Sequence, residues 1–109
     1  MLELITIWVT LYRNKVRLQE SIQAYQRAIH LRPQFTEAYY NLGSALQGQG
    51  RLEESIEAYQ QAIQIQPDHA DACYNLGITL QKQGRLEESI KAYQQAIRIQ
   101  PEHTGAYST

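Results

Sequence analysis

One cysteine, three histidines and two pairs of adjacent glutamates are the side chains of this 109-residue chain that could support catalysis or bind a metal. Cys73 has no histidine or acid at a spacing that would activate a thiolate, so we expect a structural thiol. His69 and His103 lie 34 residues apart (103 − 69), whereas the ligands of a zinc ion must converge on one point. The histidine spacing therefore indicates no metal site.

The glutamate pairs invite an acid/base interpretation, which their spacing does not support. Glu53-Glu54 and Glu87-Glu88 are adjacent, and adjacent residues on a helix do not face each other. Carboxylates are favoured near the positive end of a helix, so capping explains both pairs. Gly48-Gln49-Gly50 is not a phosphate loop, because no lysine follows it at the required spacing. We expect a protein that is not an enzyme and needs no cofactor.

The composition excludes several kinds of partner. Ten Lys and Arg residues against eleven Asp and Glu residues give a net charge of −1, without the basic surface that nucleic acids require. A single cysteine cannot form an internal disulfide, which favours a cytoplasmic location. The apolar run in the first 15 residues is interrupted by Glu3, Thr6 and Thr10 and is too short to span a membrane. We therefore expect no nucleic acid partner and no membrane anchor.

The whole chain, residues 1–109, has the pattern of a single repeat domain. Residues 36–69 and 70–103 are identical at 25 of 34 aligned positions. The prolines keep the same register, at Pro33, Pro67 and Pro101. Residues 104–109 begin a further unit and stop within its first helix. A period of this length is typical of solenoids, in which each unit buries its apolar face against its neighbours.

Each unit contains two apolar patterns with helical spacing. In residues 36–48 the apolar side chains recur at steps of three and four, and Gly48-x-Gly50 then breaks the pattern. A second helix runs from Leu52 and ends before Pro67. Asp68-x-x-Asp71 is a predicted helix start for the next unit. The pattern predicts an all-α solenoid of antiparallel helix-turn-helix pairs.

The first unit, residues 2–35, follows the pattern only in its second half. Where the later units have a Leu-Gly pair, this unit has Trp8-Val9, and where they have the second turn glycine it has Val16. The β-branched residues at its start lower helix propensity without forbidding a helix. We predict a degenerate helix over residues 3–14 that serves as an end cap or is left over from a larger array.

The residue pattern resembles the tetratricopeptide repeat (TPR) family, including repeats of bacterial TPR proteins. In the middle unit it reads Tyr39-x₂-Leu42-Gly43-x₂-Leu46, Ser55-x₃-Tyr59-x₂-Ala62 and Pro67. In the next unit it reads Cys73-x₂-Leu76-Gly77-x₂-Leu80, Ser89-x₃-Tyr93-x₂-Ala96 and Pro101. The resemblance implies a right-handed superhelix whose concave groove is lined by the first helix of each pair and binds an extended peptide or a helix of a partner protein.

Small residues in this pattern predict close helix packing. Gly43 and Gly77 let the two helices of a pair approach, while Tyr59 and Tyr93 are expected to fill the space between adjacent units. A Gly43→Leu change should therefore cost far more stability than a Gln61→Leu change.

The resemblance places eleven residues in the groove. On the middle unit they are Glu37, Tyr40, Asn41, Ser44 and Gln47. On the next unit they are Asp71, Tyr74, Asn75, Ile78, Gln81 and Lys82. The two asparagines are similar to the asparagine ladder in the repeats of O-linked N-acetylglucosamine transferase, and an amide offers two donors and an acceptor to a peptide backbone. Alternatively, these amides only tie neighbouring helices together.

Three functions fit the sequence. The first is a protein-protein interaction module. The second is a self-assembling scaffold, a homo-oligomer that associates through exposed apolar end faces. The third is the binding fragment of a larger TPR-containing enzyme.

Overall fold

A computed structural model describes the backbone of residues 2–101 and the side chains of residues 4–7 and 16–101. These residues form five helices and no strand: α1 (Leu2–Leu31), α2 (Thr36–Gly48), α3 (Leu52–Ile65), α4 (Ala70–Lys82) and α5 (Leu86–Ile99). The all-α solenoid of helix pairs is confirmed. The helix predicted to begin at residues 104–109 lies outside the described residues, and the division of the chain into units remains a prediction from its period.

The tight turn within each pair depends on a glycine. Gly50 has φ +78°, in the left-handed region, and Gly84 has the same value one period later. The N–H of Arg51 donates to the carbonyl of Leu46 at 2.9 Å, and the N–H of Gly50 donates to that of Gln47 at 3.0 Å. These two bonds satisfy the last carbonyls of α2 and direct the chain into α3.

A second glycine in each pair sets how closely the two helices approach. A Cβ atom added to Gly43 would lie 2.7 Å from the ring of Tyr59, which is completely buried. The hydroxyl of Ser55 donates to the carbonyl of Gly43 at 2.7 Å. The Tyr59 ring therefore packs against the first helix of its own pair, and its predicted role between adjacent units remains a prediction. Gly77 and Tyr93 repeat the contact at 2.7 Å.

Neighbouring units share apolar clusters. Ile56 of α3, only 2% exposed, packs with Leu76 and Leu80 of α4. Polar turn residues add a second set of contacts: the Gln83 amide donates to the Glu53 carboxylate at 3.0 Å. Each unit is thus stabilised by the one before it, as expected for a solenoid.

Helix α1 differs from the later pairs, because it runs through the expected turn without a break. The helix predicted over residues 3–14 is present, but it continues to Leu31. Val16 stands at the position of Gly50, and a β-branched residue rarely adopts positive φ. The end of α2 lies beside Leu18, since a Cβ on Gly48 would be 3.4 Å from that side chain. Residues 2–16 therefore extend past α2 by about 22 Å.

None of the five helices within residues 2–101 is long and apolar enough to cross a membrane.

Candidate functional site

The predicted groove lies along α2 and α4, which pack side by side. The amide nitrogen of Asn75 donates to the Tyr40 hydroxyl at 3.0 Å and to the Asp71 carbonyl at 2.9 Å. Both amide hydrogens therefore bond within the protein, and Tyr40 links α4 to the preceding unit. The Asn75 amide ties neighbouring helices, and its Oδ1 accepts no hydrogen bond from a described residue. Any contact of Asn75 with a bound peptide is left to that oxygen.

Two glutamines of the predicted groove have fixed orientations. The Tyr59 hydroxyl donates to Oε1 of Gln47 at 3.0 Å, and Tyr93 donates to Oε1 of Gln81 at 2.8 Å. The Tyr59 oxygen also lies 3.2 Å from the Ser44 hydroxyl, a contact that Ile78 cannot reproduce one unit later. With both carbonyl oxygens bound, the amide nitrogens of the glutamines are the groups that remain for a ligand.

The tyrosines that orient these glutamines were missed as groove residues from the sequence. The available signal was the replacement of the family's phenylalanine by Tyr59 and Tyr93, because a buried hydroxyl needs a hydrogen-bond partner. Burial raises the pKa of both side chains, so both hydroxyls stay protonated and able to donate.

Aromatic rings pack behind the polar groups. The centroid of Tyr40 lies 5.9 Å from that of Tyr59 and 4.9 Å from that of His69, and Tyr74 lies 5.7 Å from Tyr93. Burial raises the pKa of Tyr40, and the nearby Asp71 carboxylate raises it further. These tilted ring contacts stabilise the wall of the predicted groove by dispersion.

His69 joins two helices at one end of the groove. Its Nδ1 accepts a hydrogen bond from the Ala72 N–H at 3.1 Å, which makes it the N-cap of α4. Because Nδ1 accepts, the proton of the neutral ring is on Nε2, which donates to the Glu37 carboxylate at 3.3 Å. The helix start that the sequence analysis assigned to Asp68-x-x-Asp71 is therefore capped by a histidine.

The remaining predicted groove residues are placed as follows. Asn41 is half-buried and makes no side-chain hydrogen bond within the described part of the chain. Ile78 is also half-buried, whereas Ser44 and Lys82 are exposed. Glu37 and Asp71, both exposed, line an open depression of about 320 Å³ together with Gln66, Asp68, His69, Ala70, Ile99 and Gln100. The acidic side chains cluster at the end of the groove where α2 and α4 begin.

The side chains considered for catalysis and metal binding do not form a site within the described residues. Cys73 is buried, and burial raises the pKa of its thiol, which disfavours the nucleophilic thiolate. No group of three or more His, Cys, Asp or Glu side chains in the described residues could hold a metal ion.

Two protein-family profiles match this chain. A profile described as tetratricopeptide repeat matches residues 34–102, and a second, described as TPR repeat, matches residues 11–50. No curated protein matches the chain. Several solved structures do match, each with a sequence identity of about one third.

Among these solved structures, MamA superposes on this chain with a TM-score of 0.80 at 33% sequence identity. The match covers 83% of this chain and 53% of the MamA chain. A second MamA structure has a TM-score of 0.79 at 33% sequence identity, and the match covers 83% of this chain and 49% of that MamA chain. YrrB, described as a TPR protein with an unusual peptide-binding site, has a TM-score of 0.77 at 34% sequence identity. The match covers 93% of this chain and 50% of the YrrB chain. The chain thus spans about half the length of the structures it matches.

Proposed function

Because this chain belongs to the tetratricopeptide repeat family, we propose that it is a non-catalytic module whose groove along α2 and α4 binds an extended segment of a partner protein. The observation that supports this most directly is the orientation of Gln47 and Gln81 by tyrosine hydroxyls. A side chain fixed in this way presents its free atoms to a ligand with little loss of conformational entropy on binding.

The free atoms of the groove complement a peptide backbone. The amide nitrogens of Gln47 and Gln81 are donors, and Oδ1 of Asn75 is an acceptor. An extended peptide presents carbonyl and N–H groups alternately along its length, so it can bond to both kinds of atom without its side chains being read. We therefore expect the groove to bind peptides of different sequences, and charged side chains to provide the selectivity.

Charge selects the orientation of the ligand. Glu37 and Asp71 lie at the beginning of α2 and α4, and Lys82 lies in the last turn of α4. A segment whose basic residues lie beside the two carboxylates is favoured over one bound in the opposite direction. The related YrrB structure, described as having a peptide-binding site, supports peptide recognition by this scaffold.

The proposal is tested with an isosteric change. Gln47→Glu together with Gln81→Glu keeps the oxygens that accept from Tyr59 and Tyr93 but removes the nitrogens that donate. The matched control, Gln60→Glu with Gln94→Glu, adds the same charge at two exposed positions on α3 and α5.

A peptide selected from a random library against the wild-type chain serves as the ligand, with affinity measured by fluorescence anisotropy. We expect the groove pair to weaken binding about tenfold or more and the control pair less than about threefold. Equal effects of the two pairs, or selection of no peptide, would contradict binding in the groove.

A second candidate function, end-to-end self-assembly, is favoured by one observation. Leu86 and Ile90 on α5 are 58% and 54% exposed, whereas Ile56, the counterpart of Ile90, is 2% exposed under α4. Light scattering across a dilution series measures this association. It should be lost in the double variant Leu86→Glu with Ile90→Glu and retained in the groove variant Gln47→Glu with Gln81→Glu.

A further inference from the structure

One strip of α1 is less covered than the matching strip of α3, although its Tyr25 packs against the cluster that contains Leu42 and Leu46 of α2. On α3, four small or aromatic residues are 0–5% exposed: Ser55, Ala58, Tyr59 and Ala62. Their counterparts one period earlier on α1 are Ser21, Ala24, Tyr25 and Ala28, all half-buried or exposed. The residue types are identical at all four positions. What α1 lacks is a first helix lying on this strip.

The same molecule contains a helical segment of the right length that carries exposed apolar side chains. Residues 2–14 number thirteen, the length of α2 and of α4. Leu4, Ile5 and Ile7 in this segment are 70%, 59% and 56% exposed. Apolar side chains exposed together on a helix of this length indicate a surface that another protein element covers.

The segment cannot reach the strip of its own chain in the way that α2 reaches α3. Both later turns pass through a glycine at φ +78°, and Val16 occupies that position in the first unit. A valine in the left-handed region is strained by its Cβ and its branched side chain, so the helix continues instead. The straight helix directs residues 2–14 away from Ser21 and Tyr25.

We infer that two copies of this chain exchange residues 2–14, each supplying the first helix that lies on the less covered strip of the other. The exchanged helix makes the contacts that a folded-back helix would make, so the hinge at Val16 decides between the two arrangements. The exchange is reciprocal and closes as a symmetric dimer, which covers both strips and both apolar segments. This pairing is independent of peptide binding in the groove.

The oligomeric state of the 109-residue chain and of hinge variants tests the exchange. Light scattering should give twice the chain mass of 12.6 kDa for the wild type at concentrations of about 10 to 100 µM. Val16→Gly allows the turn and should give a monomer of equal helicity. Val16→Ala, which favours a continuous helix at least as strongly as valine does, is the matched control and should remain a dimer.

A second pair of variants does not depend on the hinge. Leu4→Glu with Ile7→Glu changes exposed side chains and should give a folded monomer, while Leu86→Glu with Ile90→Glu on α5 should remain a dimer. A monomeric wild type, or a Val16→Gly dimer as tight as the wild type, would overturn the exchange. Dimers lost only in the α5 variant would show that the end face associates and the N-terminal segments do not.

Discussion

The contact between Gly43 and Tyr59 allows a prediction whose magnitude follows from the geometry. In Gly43→Ala the new Cβ would lie 2.7 Å from two carbon atoms of a ring that is completely buried. The ring cannot rotate away freely, because its hydroxyl is bonded to Gln47 and lies beside Ser44. Overpacking of this kind costs about 1–3 kcal/mol, against a gain of about 1 kcal/mol from replacing glycine by alanine in a helix.

Gly48→Ala is the matched control on the same helix. Its Cβ would meet the Leu18 side chain at 3.4 Å, the lower limit of ordinary contact. The propensity gain is smaller at Gly48, which is the last residue of α2, so it offsets only part of the penalty at Gly43. We therefore expect Gly43→Ala to be less stable than Gly48→Ala by about 1–3 kcal/mol.

Urea unfolding followed by far-ultraviolet circular dichroism measures this difference. Adding Tyr59→Leu to each variant gives a double-mutant cycle, in which the penalty at Gly43 should shrink and that at Gly48 should not change. Equal stabilities of the two alanine variants, or a penalty at Gly43 that persists without the ring, would refute the assignment of the clash to Tyr59.

Three further predictions concern single side chains. Asn75→Ala should be less stable than Asn41→Ala by about 1 kcal/mol in urea unfolding, because only the Asn75 amide bonds to a neighbouring unit. Burial raises the pKa of Tyr59 above its ordinary 10.0. The free energy of unfolding should therefore be constant below about pH 10 and fall as the pH rises through the folded-state pKa. In Tyr59→Phe, which lacks the titrating hydroxyl, the fall should be less steep. Cys73 should react with a soluble thiol reagent at least about 100-fold more slowly in the folded chain than in urea, as followed by absorbance.

The helices and turns were predictable because their signals are local. Glycine spacing, the apolar period and the prolines predict each helix and break from residues within a few positions of it. The need for a glycine at position 43 was also predictable from its place in the pattern. The residue that packs on it was harder to assign, because the direction of the Tyr59 ring depends on how α2 and α3 cross.

The interactions that shape the groove were not predictable, since they join distant parts of the chain. His69 contacts Glu37 across 32 residues, and Asn75 contacts Tyr40 across 35. Both depend on how adjacent units stack. The continuous α1 had a visible cause in Val16, but a sequence pattern alone does not show whether a poor turn bends under strain or becomes helix.

The short sequence range of the polar contacts has a consequence for how the protein is made. The bonds within a pair join residues 12 positions apart, such as Ser55 with Gly43, and the longest described side-chain hydrogen bond spans 35 residues. Contacts this local favour folding in milliseconds or less, while a ribosome needs about 2 to 7 s to add the 34 residues of one unit. Each helix pair can therefore dock on the preceding pair as it emerges during translation, and the docked pair then serves as the template for its successor.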